Sequence, residues 1–127
     1  MNYIIREARR ELDILSAAVS EILTLAGKAI LEMDAKTALK VEPLEELIDD
    51  IVEQIKTNHI ARLKNGACTI ELGVILNDIL ADIERVSDHC SNKRNNLHMH
   101  QFVKDFKDKD SVEFTELYDE FSRKYSI

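Results

Sequence analysis

Apolar side chains at Leu12, Leu15, Val19, Ile22, Ala26, Ala29 and Met33 recur at intervals of three and four residues. That interval is the repeat of one helix face, whereas a half-buried strand would alternate. It therefore dictates an amphipathic helix of about thirty residues, over roughly 2–33. Gly27 inside it costs about 1 kcal/mol relative to Ala, which so long a stripe outweighs. With 3 Gly and 1 Pro among 127 residues, the chain has little turn chemistry to spend. Long helices joined by few loops are the expected plan.

Further along, Leu44, Leu47, Ile48, Ile51, Ile55 and Leu63 mark a second helix ending near Lys64. Asp34 is placed to cap it. Pro43 leaves two starts open, because proline is tolerated in a first turn and kinks an interior. Either the helix begins near Glu42, or one kinked helix begins near Ala35, and the second is favoured. Gly66 is a suitable residue to end it, and Thr69 a suitable N-cap for a third helix over roughly 70–95. Leu72, Leu76, Ile79, Ile83, Val86 and Cys90 are expected to form that helix's buried stripe. Six of the seven aromatics follow residue 100. Phe102, Phe106, Leu117, Tyr118, Phe121 and Tyr125 are the candidates for burial in a short helical C-terminal tail. The fold expected is all-α: an antiparallel three-helix bundle over 1–97, with a helical extension over 98–127 packed back on it.

One domain and one core suit this length. A net charge of −7 argues against a nucleic-acid surface and suits cation binding or simple solubility. No apolar run is expected to reach the roughly 18–20 residues that span a bilayer, and "MNYIIREARRELD" lacks a signal peptide's apolar stretch. A cytoplasmic protein is expected. If Cys68 and Cys90 lie on one helix, they are about 33 Å apart at 1.5 Å per residue, which rules out an intrahelical disulfide. Cys90 reads as a small core residue. His59 and His89 read as surface or hydrogen-bonded helix residues before ligands.

The polar residues within the apolar runs carry the chemistry. Glu45 and Asp49, and again Glu84 and Asp88, are four apart, so each pair shares a helix face. About the Gly66 turn, Asp49 is 17 residues before and Glu84 18 after; Glu45 is 21 before and Asp88 22 after. Antiparallel helices put both pairs at one height. Each pair is also offset to the same side of its apolar stripe. They then lie either in one groove or on opposite outer faces, depending on the hand of the bundle. Four carboxylates in one groove raise each other's pKa, and a cation relieves that cost. Oxygen-only donors favour Mg, Mn, Ca or Fe ions, divalent or ferric, over thiolate-type zinc. Asn92 extends the same row with an amide oxygen. Solvated acids paired to nearby bases remain the plainer alternative.

"IERVSDHCSN" resembles the signature of the PhoU family. "VEPLEELIDDIVEQIKTNHIARLKNGACTIELG" is similar to the PhoU-like cytosolic region at the C-terminal end of bacterial sodium/phosphate cotransporter-like membrane proteins. The spacing of His59, Arg62, Leu63, Gly66, Cys68 and Gly73 is the more specific mark of that subgroup. The likeness covers roughly residues 10–95, and loosely the "SRKYSI" end. It implies a three-helix bundle with acidic motifs, here Glu45/Asp49 and Glu84/Asp88, that bind metal on the bundle surface. It implies a regulatory role in phosphate homeostasis, without catalysis, beside a phosphate transporter or sensor. The membrane would then be met only through a parent or partner transporter, at its inner face. Two departures stand out: "NKRNN" replaces the family's apolar continuation after the aspartate, and one bundle is present where classical members carry two. The second suggests a homodimer or a piece of a longer membrane protein.

Two other classes compete. A structural interaction bundle would leave the acids solvated. A carboxylate-bundle di-iron enzyme would need Glu three residues before a ligating His. The residues three before His59, His89, His98 and His100 are Lys56, Val86, Asn95 and Leu97, so that enzyme is disfavoured.

Overall fold

The computed structural model describes residues 2–91 and 112–127. Among them are four helices and no strand: α1 (Asn2–Glu32), α2 (Ala35–Lys64), α3 (Ile70–Ser91) and α4 (Val112–Lys124). The expected ends of the third helix (92–95) and the aromatics Phe102 and Phe106 lie outside the described residues.

Local chemistry sets the boundaries. Met33 takes a left-handed φ of 53° and the Asp34 N–H reaches back to the Ala29 carbonyl (3.2 Å), which closes α1. That turn swings Met33 off the helix face, so the side chain expected in the stripe is exposed instead. Asp34 then caps α2. Its carboxylate accepts from the Lys36 and Thr37 N–H groups (3.1 and 3.4 Å) and from the Thr37 hydroxyl (2.8 Å). These bonds, led by the Thr37 hydroxyl, hold its pKa below the ordinary carboxylate value. α2 runs unbroken through Pro43 from Ala35, as the favoured alternative had it. At the far end Gly66 adopts φ 69°, its N–H donating to the Leu63 carbonyl while Ala67 N–H donates to Arg62. This Schellman turn needs a residue free of Cβ strain. Thr69 caps α3, its hydroxyl accepting from the Leu72 N–H (3.2 Å).

Helix α2 is the centre of the fold and touches α1, α3 and α4. Leu44, Leu47, Ile48, Ile51, Val52 and Ile55 are buried along it, against Leu15 and Ile22 of α1 and Leu76 and Leu80 of α3. Phe121 of α4, and Tyr125 just past its end, enter the same core. Phe114 is buried as well, an aromatic absent from the expected set. Hydroxyls tie α4 down: Tyr118 donates to Asp50, and Tyr125 to Glu21, which also receives the Lys124 ammonium (2.9 Å).

The face of α3 differs from expectation. Leu76 and Leu80 are buried, and so are Gly73 and Ser87, whereas Leu72, Ile79 and Val86 are exposed. At about 100° per residue the buried direction is turned by roughly 70° from the stripe predicted. Small residues explain the turn. Gly73 lies against the His59 ring, where a Cβ would come within 2.8 Å of Nε2. The rotation lets α3 approach α2 closely, at the cost of an apolar strip left in solvent.

Helix α1 is also more apolar than the run-length criterion suggested. Within Arg6–Glu32 an 18-residue window has a mean hydropathy of 1.7, long and apolar enough to cross a membrane. Glu21 and Lys28 interrupt the run without lowering the average enough. Here the helix packs on α2, although 22% of that window is buried.

A charged lock joins α1 to α2. Glu11, 1% exposed, accepts from both terminal nitrogens of Arg62 and from the Asn58 amide (2.8 Å). Removing one partner of a buried pair strands the other charge, which costs about 3–5 kcal/mol, whereas replacing both by apolar groups is often near neutral. Arg62→Met should therefore lower the unfolding free energy by about 3 kcal/mol in urea titrations. Glu11→Leu/Arg62→Met should recover most of that loss. Equal losses in the single and double variants would show that packing, not the stranded charge, sets the cost.

Candidate metal centre

The seam between α2 and α3 gathers acids from both helices. Glu45 and Asp49 project from one turn of α2 to the next, with Leu47 and Ile48 between them facing the core. Asp88 comes from the last turn of α3. One carboxylate oxygen from each of Glu45, Asp49 and Asp88 lies within 4.8 Å of the other two. Both α2 acids are half-buried, and Asp88 is exposed on the rim.

Desolvation and like charge act together here. Burial, then the Asp49 and Asp88 carboxyls beside it, push the Glu45 pKa up to about 9. Asp49 is also raised, by burial first, and then by the charges of Asp88, Glu84 and Glu46, against a hydrogen bond with Glu45 that lowers it. Two carboxyls that share a proton in this way mark a site that favours positive charge.

Each expected ligand has a definite place. The structure brings Glu45, Asp49 and Asp88 together. Glu84 is close enough to act on Asp49, yet its carboxylate is taken by the Lys56 ammonium at 3.2 Å. Lys56 is the residue sequence reasoning missed. It sits seven positions beyond Asp49, on the same α2 flank, and that spacing was the signal available. Asn92 lies outside the described residues. His89 is exposed, and His59 is buried beside Cys68, whose sulfur lies 3.6 Å from Nδ1. Cys90 packs against the core, and burial raises its thiol pKa.

The three carboxylates fit a hard cation. Oxygens bound to one ion at about 2.0–2.6 Å lie at most roughly 4–5 Å apart, and the cluster already meets that limit. The donors are all oxygen, and the Asp88 edge is open to solvent.

Two comparisons bear on this geometry. The family model described as "PhoU domain" matches residues 12–93, which include every acid of the seam. The chain is 28% identical over 86 residues to a Thermotoga maritima protein named "Phosphate-specific transport system accessory protein PhoU homolog 1". The match takes in 68% of this chain and 37% of that relative, so the chain spans well under half of the relative's length. No solved structure matches. An all-α bundle whose first three helices carry the family match over 12–93 belongs to the PhoU domain family.

Proposed function

We propose that this chain is a metal-binding regulatory domain in phosphate transport, acting by association with a transport or sensor protein and not by catalysis. The observation that carries the reading is the three-acid seam of Glu45, Asp49 and Asp88, within a stretch matched by the PhoU family. The relative's printed name, an accessory protein of phosphate-specific transport, supports the phosphate context. The "HIARLKNGAC" stretch around the α2–α3 turn is the basis for placing the domain beside a sodium/phosphate cotransporter, as its cytosolic part or its partner. In that setting it works in the cytoplasm at the inner face of the membrane.

Glu45, Asp49 and Asp88 would hold the ion, with Glu84 and Asn92 as further donors from the α3 row. A magnesium, manganese, calcium or iron ion suits this donor set. When bound, it supplies positive charge that fixes α3 against α2. Exposed apolar residues on α3 support a homodimer as the working state. The plainer rival is an interaction module whose acids are balanced by protons and by Lys56.

Three measurements test the reading. An ion that binds only the native state at a hundredfold excess over its Kd adds about 2.7 kcal/mol, or roughly 10 °C in Tm for a chain of this size. Asp88→Asn should abolish most of that rise. Asp82→Asn, on the other flank of α3 beside Arg85, should leave it intact. Equal behaviour of the two variants, or no rise with any of the four ions, would favour the rival.

The second test is the metal-free pH profile. A carboxyl whose folded pKa is raised stabilises the fold fully below its unfolded value, near 4.5, and loses that contribution as pH rises through about 9. The Tm of the metal-free chain should therefore fall between pH 6 and pH 9, and Glu45→Gln should flatten the fall. The third test follows from the second. Near pH 7 the ion should displace about one proton, read by calorimetry in two buffers of different ionisation enthalpy. Buffer-independent heats would mean that Glu45 is already ionised.

A further inference from the structure

The strip uncovered by the rotation of α3 has no partner among the described residues. Leu72, Ile75, Ile79 and Val86 are 50%, 56%, 40% and 38% exposed. At about 100° per residue they fall within roughly 60° of arc, on the flank of α3 opposite Glu84 and Asp88. Facing them across a groove of about 390 Å³ is the start of α1, with Ala8, Arg9 and Leu12, and α2 supplies His59 and Arg62 as the floor. Contiguous apolar surface of this kind marks an interaction site.

Charge selects the occupant. The α1 lip is basic, with Arg9 exposed at the height of Leu72 and Ile75, and Arg6 one turn before it. The outer lip of α3 is acidic, with Glu71 and Asp78 exposed just beyond the strip. One basic lip and one acidic lip flank an apolar floor. An anionic membrane surface would meet the acidic lip unfavourably, in a chain that already carries −7.

A second copy offers the matching pattern. α1 and α3 run parallel, because each is antiparallel to α2. A two-fold axis parallel to the bundle sets α1 of one copy over α3 of the other at the same height. Arg9 of each copy then faces Glu71 and Asp78 of the other. A two-fold axis across the bundle would instead set α3 on α3, with Asp78 against Asp78. Like charges so placed are penalised.

We infer that the α1–α3 groove is a self-complementary docking face through which two copies of this chain associate, with the two-fold axis parallel to the bundle. This rests on the homodimer reading given above and names its surface. The acid seam lies on the other flank of α3, so both ion sites stay open in the pair.

The test is sedimentation equilibrium of the full chain without added metal. The wild type should be a dimer at high micromolar concentration. Ile75→Asp should weaken association at least tenfold while the helical circular dichroism is unchanged. Val74→Asp, exposed outside the strip, should not. Arg9→Glu should also weaken the dimer, and Asp78→Arg added to it should restore it. A monomeric wild type would overturn the homodimer reading itself. A dimer indifferent to Ile75→Asp, or equally sensitive to Val74→Asp, would leave the homodimer standing and overturn this face. Loss at Arg9→Glu without rescue by Asp78→Arg would overturn the axis. Ile75-dependent cosedimentation of a monomer with phosphatidylglycerol vesicles would assign the strip to a membrane instead.

Discussion

Everything else in this fold depends on the burial of α2 against three neighbours. Leu44, Ile48, Val52 and Ile55 are shut from water, and α1, α3 and α4 supply the walls. A helix enclosed in this way has no solvated face wide enough for all of its acids. Glu45 and Asp49 are therefore held in the seam with α3, half-desolvated and beside each other. The raised pKa of Glu45 is a consequence of the core, because the same packing that removes leucine from water also withholds water from the carboxyl.

Charges inside this bundle are handled in two ways, and the contrast separates structure from function. Glu11 is fully buried, and its charge is met by Arg62 and Asn58, so it locks α1 to α2. Glu84 is met by Lys56 in the same manner nearer the surface, where such a pair is worth little. Glu45, Asp49 and Asp88 instead lie beside one another, acid against acid, and the group opens to solvent on the Asp88 side.

The strip on α3 and the seam on α3 share one cause. Gly73 and Ser87 at the α2 contact let the helix roll until its smallest residues face inward. The roll carries Asp88 toward Glu45 and carries Ile75 and Ile79 out into solvent. A larger residue at position 73 would meet the His59 ring, push the helix back, and alter both faces together.

Much was legible in the order of residues. The three- and four-residue spacing gave the helices, Asp34 and Thr69 gave their starts, and Gly66 gave the turn, because each of these depends on chain-local chemistry. Equal distances from Gly66 also put Glu45, Asp49, Glu84 and Asp88 at one height, since the rise per residue is fixed. The rotation of α3 and the side of the bundle on which its acids emerge were decided only in three dimensions. α3 is apolar over more than one helix face, so its period admits two burial directions, and the choice belongs to whichever contacts α2 offers. The hand of the bundle, which places the acid pairs in one groove instead of on opposite faces, leaves no trace in a one-dimensional repeat. Only the packed helices fix it, and with it the meeting of Asp88 with Glu45 and the diversion of Glu84 to Lys56.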